Sequence, residues 1–167
     1  MTIIVEDGTG VANANSYVTA DDLRAYADLR GLAGSITSDD STLEPYLVLA
    51  CDKIESYRSR FQGIKTDADN ALQFPRSGVF IDGIEIDDDV IPTELKNAQC
   101  QFALDAMATT LQPNVLPSDG GATIEKTVGQ ITVKYATPDK RTQPKFSKAE
   151  AWLAPLLKGL MAVAVRT

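Results

Sequence analysis

Histidine is absent from the 167 residues, and cysteine occurs only twice. A chain without imidazole lacks the one side chain that ordinarily titrates near neutrality, and with it the commonest zinc ligand. Cys51 and Cys100 lie far apart with no flanking Cys or His, so neither a Cys-His nucleophile nor a zinc set can be assembled from them. Two isolated thiols within helical patterns read as reduced core residues rather than as a disulfide framework. Long apolar runs are missing too. The longest, Gly159 to Val165, is too short to cross a bilayer, and the N-terminus lacks the basic flank and apolar stretch of a secretion signal. Neither export nor a membrane is expected.

What is present suits one ordinary folded domain with appendages: 44% of residues are hydrophobic and 23% are charged. The net charge of -7 is unevenly placed. Residues 1–92 carry 17 acidic and 7 basic side chains, whereas residues 93–167 carry 6 and 9. Between 126 and 148, Lys126, Lys134, Lys140, Arg141, Lys145 and Lys148 face a single acid, Asp139. Charge asymmetry of this kind bears on partners rather than on fold.

Along the chain, Ile3-Ile4-Val5 reads as a short strand or arm running into the turns of Gly8-Thr9-Gly10. Thr19 and Asp22 have the spacing of a capping box, and the helix they open ends at Gly31 or Gly34. A second box, Ser41 and Glu44, precedes Leu43, Leu47, Ala50, Cys51, Ile54 and Phe61, an apolar stripe that predicts a helix over 41–62. Residues 64–92 show no helical period. Val79 to Ile86 alternate around a tight turn at Asp82-Gly83, and Asp87-Asp88-Asp89 precede a helix predicted over 93–111. That helix is apolar on two adjoining faces, which predicts packing on both sides. Thr123 to Ala136 predict a β-hairpin around Gly129-Gln130. Phe146, Ser147 and Glu150 open a last helix, which should kink or restart at Pro155. The expected fold class is therefore mainly α: a small helical bundle with a β-hairpin and extended N- and C-terminal arms. Its parts are an acidic helical core over 1–116, with an N-terminal arm and an irregular segment 64–92; a linker, hairpin and basic loop over 117–146; and a C-terminal helix or arm over 147–167.

Chemistry is sparse. The acids at 85 and 87–89, and Asp67, Asp69 and Asn70, lack the spacing of a calcium loop, and neither Gly8-Thr9-Gly10 nor Gly120-Gly121 fits a phosphate loop. No catalytic residue, metal ligand or cofactor is expected, so the chain reads as a non-enzyme. Cations interleaved with Tyr135 and Phe146 are of the kind that follow single-stranded nucleic acid, which makes Lys126, Lys134, Lys140 and Arg141 candidate DNA contacts.

Five segments together resemble a known group of proteins. They are Ile4 to Val18 (IVEDGTGVANANSYV), Ala71 to Gly78 (ALQFPRSG), Ile91-Pro92 with Leu95-Lys96 and Ala98, the Val128 to Tyr135 hairpin, and Leu153 to Leu157 (LAPLL). In this order they are similar to tailed-phage head-tail connector or adaptor proteins, a group also described as DnaT-like single-stranded-DNA-binding proteins. Phe74 stands where the family often has tryptophan. The resemblance implies a virion structural protein of the neck region, assembled in the host cytoplasm. It would form a ring of twelve copies under the portal, bridge portal to the neck or tail completion protein, and line a channel that passes genomic DNA without specific binding. On that reading Lys140, Arg141, Lys145, Phe146, Trp152, Leu156 and Leu157 would dock on the portal or a neighbour. Ile3, Ile4, Val5, Ile131, Val133 and Tyr135 would exchange between subunits. The alternative implied by the second description is a single-stranded-DNA-binding replication protein.

Overall fold

A computed structural model describes residues 2–36, 39–113, 125–128, 131–134 and 145–159. The chain divides into two units, Met1–Leu111 with Phe146–Thr167, and Gln112–Lys145.

In the first unit, α1 (Ala20–Asp28) begins at Thr19 as the capping box predicts: Thr19 Oγ1 accepts from Asp22 N at 3.1 Å, and Thr19 N donates back to the Asp22 carboxylate at 2.8 Å. Helix α2 (Asp40–Glu55) begins earlier than expected, because Asp39 and not Ser41 is its cap. The Asp39 carboxylate accepts from Ser41 N, Ser41 Oγ and Thr42 Oγ1, drawing the expected cap residue into the first turn. The helix also ends at Glu55, short of 62, where Ser56 to Arg60 turn out of it. Helix α3 (Thr93–Ala108) packs against α1, α2 and α4 (Ser147–Leu153), as its two apolar faces require. Helix α4 opens at Phe146 without a side-chain cap, and at Pro155 it gives way to a 3-10 turn, Ala154–Leu156. Proline has no N–H for the α-helical ladder, so the change of helix type falls where it lacks a donor.

The mainly α expectation is overturned by the segment 64–92. It holds two antiparallel pairs: β1 (Ile64–Lys65) with β2 (Arg76–Ser77), and β3 (Val79–Ile81) with β4 (Ile84–Ile86). The fold is mixed α/β. Strands of two or three residues are too short to leave a legible alternation, and glycine holds them together where no larger residue fits. Gly63 has φ +62°, and a Cβ there would meet Ser77 O at 2.0 Å. The Asp82-Gly83 turn is as predicted, with φ +53° and +83° at its two residues and Ile81 facing Ile84, the geometry of a two-residue hairpin.

Among the described residues, neither 3–5 nor 146–157 is an extended arm, and the rest of the expected C-terminal arm, 160–167, lies outside the described residues. Val5 bridges to Ser16, Glu6 N donates to Ser16 O at 2.8 Å, and Asn15 N donates to Ile4 O at 2.9 Å. At the other end Phe146, Ala149, Leu153 and Leu156 are buried in the main core, with Phe146 edge-on to Phe102 at 6.0 Å. Amphipathic helix α4 covers an apolar face of α3 that would otherwise meet water.

In the second unit, β5 (Glu125–Val128) and β6 (Ile131–Lys134) pair antiparallel with Val128 facing Ile131, the predicted hairpin.

Candidate functional site

Among the described residues few polar side chains are buried, and each is built into the frame. Glu6 is fully buried: one carboxylate oxygen accepts from Gly8 N and Gly10 N, the other from Val11 N, each at 2.9 Å. The loop Gly8 to Val11 therefore wraps a carboxylate of its own chain, which occupies the amides that could otherwise bind an anion. Gly8, at φ +109°, lies so close to Asp89 that an added Cβ would fall 1.8 Å from Asp89 O.

Gln99 on α3 is also fully buried. It accepts from Tyr17 N at 2.8 Å and donates to Ser16 Oγ at 2.8 Å and to Leu47 O at 2.9 Å. Next to it, the Tyr17 hydroxyl donates to Glu55 Oε1 at 2.6 Å and accepts from Phe74 N at 3.2 Å, while Gln73 N donates to the same Glu55 oxygen. Burial raises the Glu55 carboxyl above the usual carboxylate range against the pull of these hydrogen bonds, and burial followed by the Glu55 charge raises the Tyr17 hydroxyl.

Arg76, 8% exposed, spends its guanidinium on the backbone: Nε donates to Gln62 O at 2.7 Å and Nη2 to Gly63 O at 2.8 Å. Burial lowers its pKa from the usual arginine value. The Phe-Pro-Arg stretch of the sequence is thus a structural clamp, with Phe74 edge-on to Phe61 at 5.2 Å and Arg76 over both rings.

The two acidic runs of the sequence meet in part. Asp67 and Asp88 line one cleft of about 210 Å³ with Gly8, Gly10, Thr66 and Asn70. Among the described residues, no group of three or more Cys, Asp or Glu is arranged to hold a metal ion, and no helix is long and apolar enough to cross a membrane.

The residues expected at interfaces fall in different settings. Phe146 and Leu156 are core residues, for the packing reason given above. Trp152 and Leu157 are half-buried: Trp152 lies 5.9 Å from the Arg30 guanidinium, and Leu157 bridges to Phe61. Ile3 and Val5 are half-buried, and Ile4 is 37% exposed. Lys145 is exposed. Lys126, Ile131, Val133 and Lys134 belong to the β5–β6 pair, while Tyr135, Lys140 and Arg141 lie outside the described residues.

Two surface features are not evident from the sequence. Phe80, 47% exposed, and Ile84, 69% exposed, show apolar surface on the β3–β4 hairpin, and Ile64 on β1 is 71% exposed. Gln62 holds the outer edge of β3: its side-chain amide accepts from Phe80 N at 3.3 Å and donates to Phe80 O at 3.2 Å. Around Tyr57, Lys53 Nζ lies 5.5 Å and the Arg60 guanidinium 5.3 Å from the ring centroid. The Tyr57 hydroxyl donates to Glu150 at 3.2 Å, and burial together with that carboxylate pushes it up to about 12.

The chain belongs to the family described as "Putative DnaT-like ssDNA binding protein", whose profile matches residues 1–167. No curated protein and no solved structure matches it.

Proposed function

We propose that this protein is a non-catalytic, single-stranded-DNA-binding protein. The observation that carries the reading is membership, over residues 1–167, of the family with that description. The uneven charge supports it: cations gathered in part of an acidic chain can hold a phosphate backbone while the remainder repels it, which favours weak, salt-sensitive binding. Titrating a labelled oligo(dT) strand at about 50 and about 200 mM salt tests the proposal. Binding that weakens steeply with salt is the expected result, and no binding at the lower concentration rejects it.

A second reading, the ring-forming connector between portal and neck of a tailed phage, is favoured by the exposed apolar side chains Ile64, Phe80 and Ile84. Exposed large apolar groups on a small body suit a protein partner. Co-purification with a phage portal protein, and presence of the protein in virions, is the expected result on that reading. A particle without it would remove the reading.

A further inference from the structure

We propose that single-stranded DNA crosses the body at Tyr57, along Arg58, Arg60 and Lys158. This rests on the DNA-binding function proposed above, and it assigns the contact to residues other than the basic stretch 126–148 that the sequence suggests.

The three cations come together from distant parts of the chain. After α2, Arg58 N donates to Glu55 O at 3.1 Å and Arg60 N to Tyr57 O at 2.7 Å, a turn that leaves Arg58, Ser59 and Arg60 exposed. Lys158 follows the C-terminal 3-10 turn, and its N–H donates to Arg60 O at 2.7 Å, which fixes it against the same turn. It too is exposed. Among the described residues, none of the three is in an ion pair.

The acids nearby are largely engaged. Glu150 accepts from the Tyr57 hydroxyl, and Glu55 is held by Tyr17 and Gln73, which leaves Asp52 as the exposed carboxylate of the preceding turn. Hydrogen bonding leaves those carboxylates charged, so Lys53, Arg58, Arg60 and Lys158 outnumber Asp52, Glu55 and Glu150 by one, a local excess of cations on a protein whose net charge is -7. Tyr57 adds a half-buried ring between Lys53 and Arg60. Cations along a backbone path beside an aromatic ring are the combination that holds single strands, and here an unstacked base would take the ring face from the flexible head group of Lys53 or Arg60. A duplex keeps its bases stacked and cannot use the ring, and an acidic protein surface would use the charges alone.

Three forms of the full chain discriminate in the oligo(dT) titration: wild type, R58Q/R60Q/K158Q, and K126Q/K134Q. The first three substitutions lie on exposed side chains, so an unchanged Tm should accompany them, and the single variant R60Q serves if it does not. Each phosphate contact contributes about 0.7 to the salt slope of a single-strand binder, so the triple variant should lose about 2 from the slope and at least about tenfold in affinity at low salt. K126Q/K134Q should lose less. A triple variant that binds like wild type overturns the site while leaving the DNA-binding function standing. Competition by poly-glutamate as effective as by oligo(dT) also overturns it, in favour of an acidic protein partner. Wild type that fails to bind at low salt removes the function and the site together.

Discussion

Tyr17 and Glu55 share a 2.6 Å hydrogen bond at the place where the N-terminal loop, α2 and the Gln73-Phe74 segment meet. The carboxylate carries its charge in a largely buried setting, and burial raises its pKa above the ordinary value of 4.5. A folded state that holds this proton more tightly than the unfolded chain is stabilised by low pH. The contribution is complete below about 4.5 and is lost as pH rises through the raised folded value. Glu55→Gln keeps an oxygen for Tyr17 and Gln73 and carries no charge. Its Tm should exceed that of wild type by a few degrees at pH 7, with the difference vanishing towards pH 4.5 in paired thermal melts.

Gln99 ties α3 to the rest of the body by three hydrogen bonds, since its amide serves Tyr17 N, Ser16 Oγ and Leu47 O with no exposure to water. Gln99→Leu fills much of the volume and leaves those groups without their partner, at about 1–3 kcal/mol for each group that water cannot reach. Urea unfolding should show a loss of about 3 kcal/mol or more. Gln99→Glu separates the two ends of the amide: a carboxylate still accepts from Tyr17 N but cannot donate to Leu47 O, so it should also destabilise, and more at pH 8 than at pH 5.

Much of the helical part was legible because its signals are local. Thr19 and Asp22 stand three residues apart, the Asp82-Gly83 pair specifies its turn, and α3 is apolar on two faces, all visible in a short window. What escaped depends on residues far apart in the chain. Nothing near Gln99 reveals that Tyr17 is its partner, and the cations of the Tyr57 surface join because Leu157 bridges to Phe61 and Lys158 N donates to Arg60 O. The strands β1 and β2, two residues each, carry no period, and their existence rests on Gly63 and on the Arg76 clamp. The burial of Phe146 and Leu156 is not visible in their own short segment, which could equally be an arm. The apolar face of α3 had already reserved a place for them.

Arg76 bonds to carbonyls on two consecutive residues, Gln62 and Gly63, from different nitrogens of one planar fork. Lysine has the charge but one nitrogen, so Arg76→Lys should leave at least one part-buried carbonyl without its partner and cost about 1–2 kcal/mol in urea unfolding. An Arg76→Lys variant as stable as wild type would show that charge alone, through the Phe61 and Phe74 rings, holds the segment.

Cys51 and Cys100 face α2 and α3 neighbours in the core, at 2% and 3% exposure. Burial, the largest cause for both, pushes Cys51 far above the ordinary thiol range and Cys100 up to about 12. The thiolate is the species that attacks a disulfide reagent, so both residues are protected twice, by lack of access and by lack of charge. In the native protein at pH 8, Ellman's reagent should therefore release almost no chromophore over the time in which the same protein in denaturant releases two equivalents. Because both thiols belong to one core, their rates should rise together as urea passes the unfolding midpoint. A thiol that reacts at once under native conditions would place it at the surface and contradict the packing of its helix.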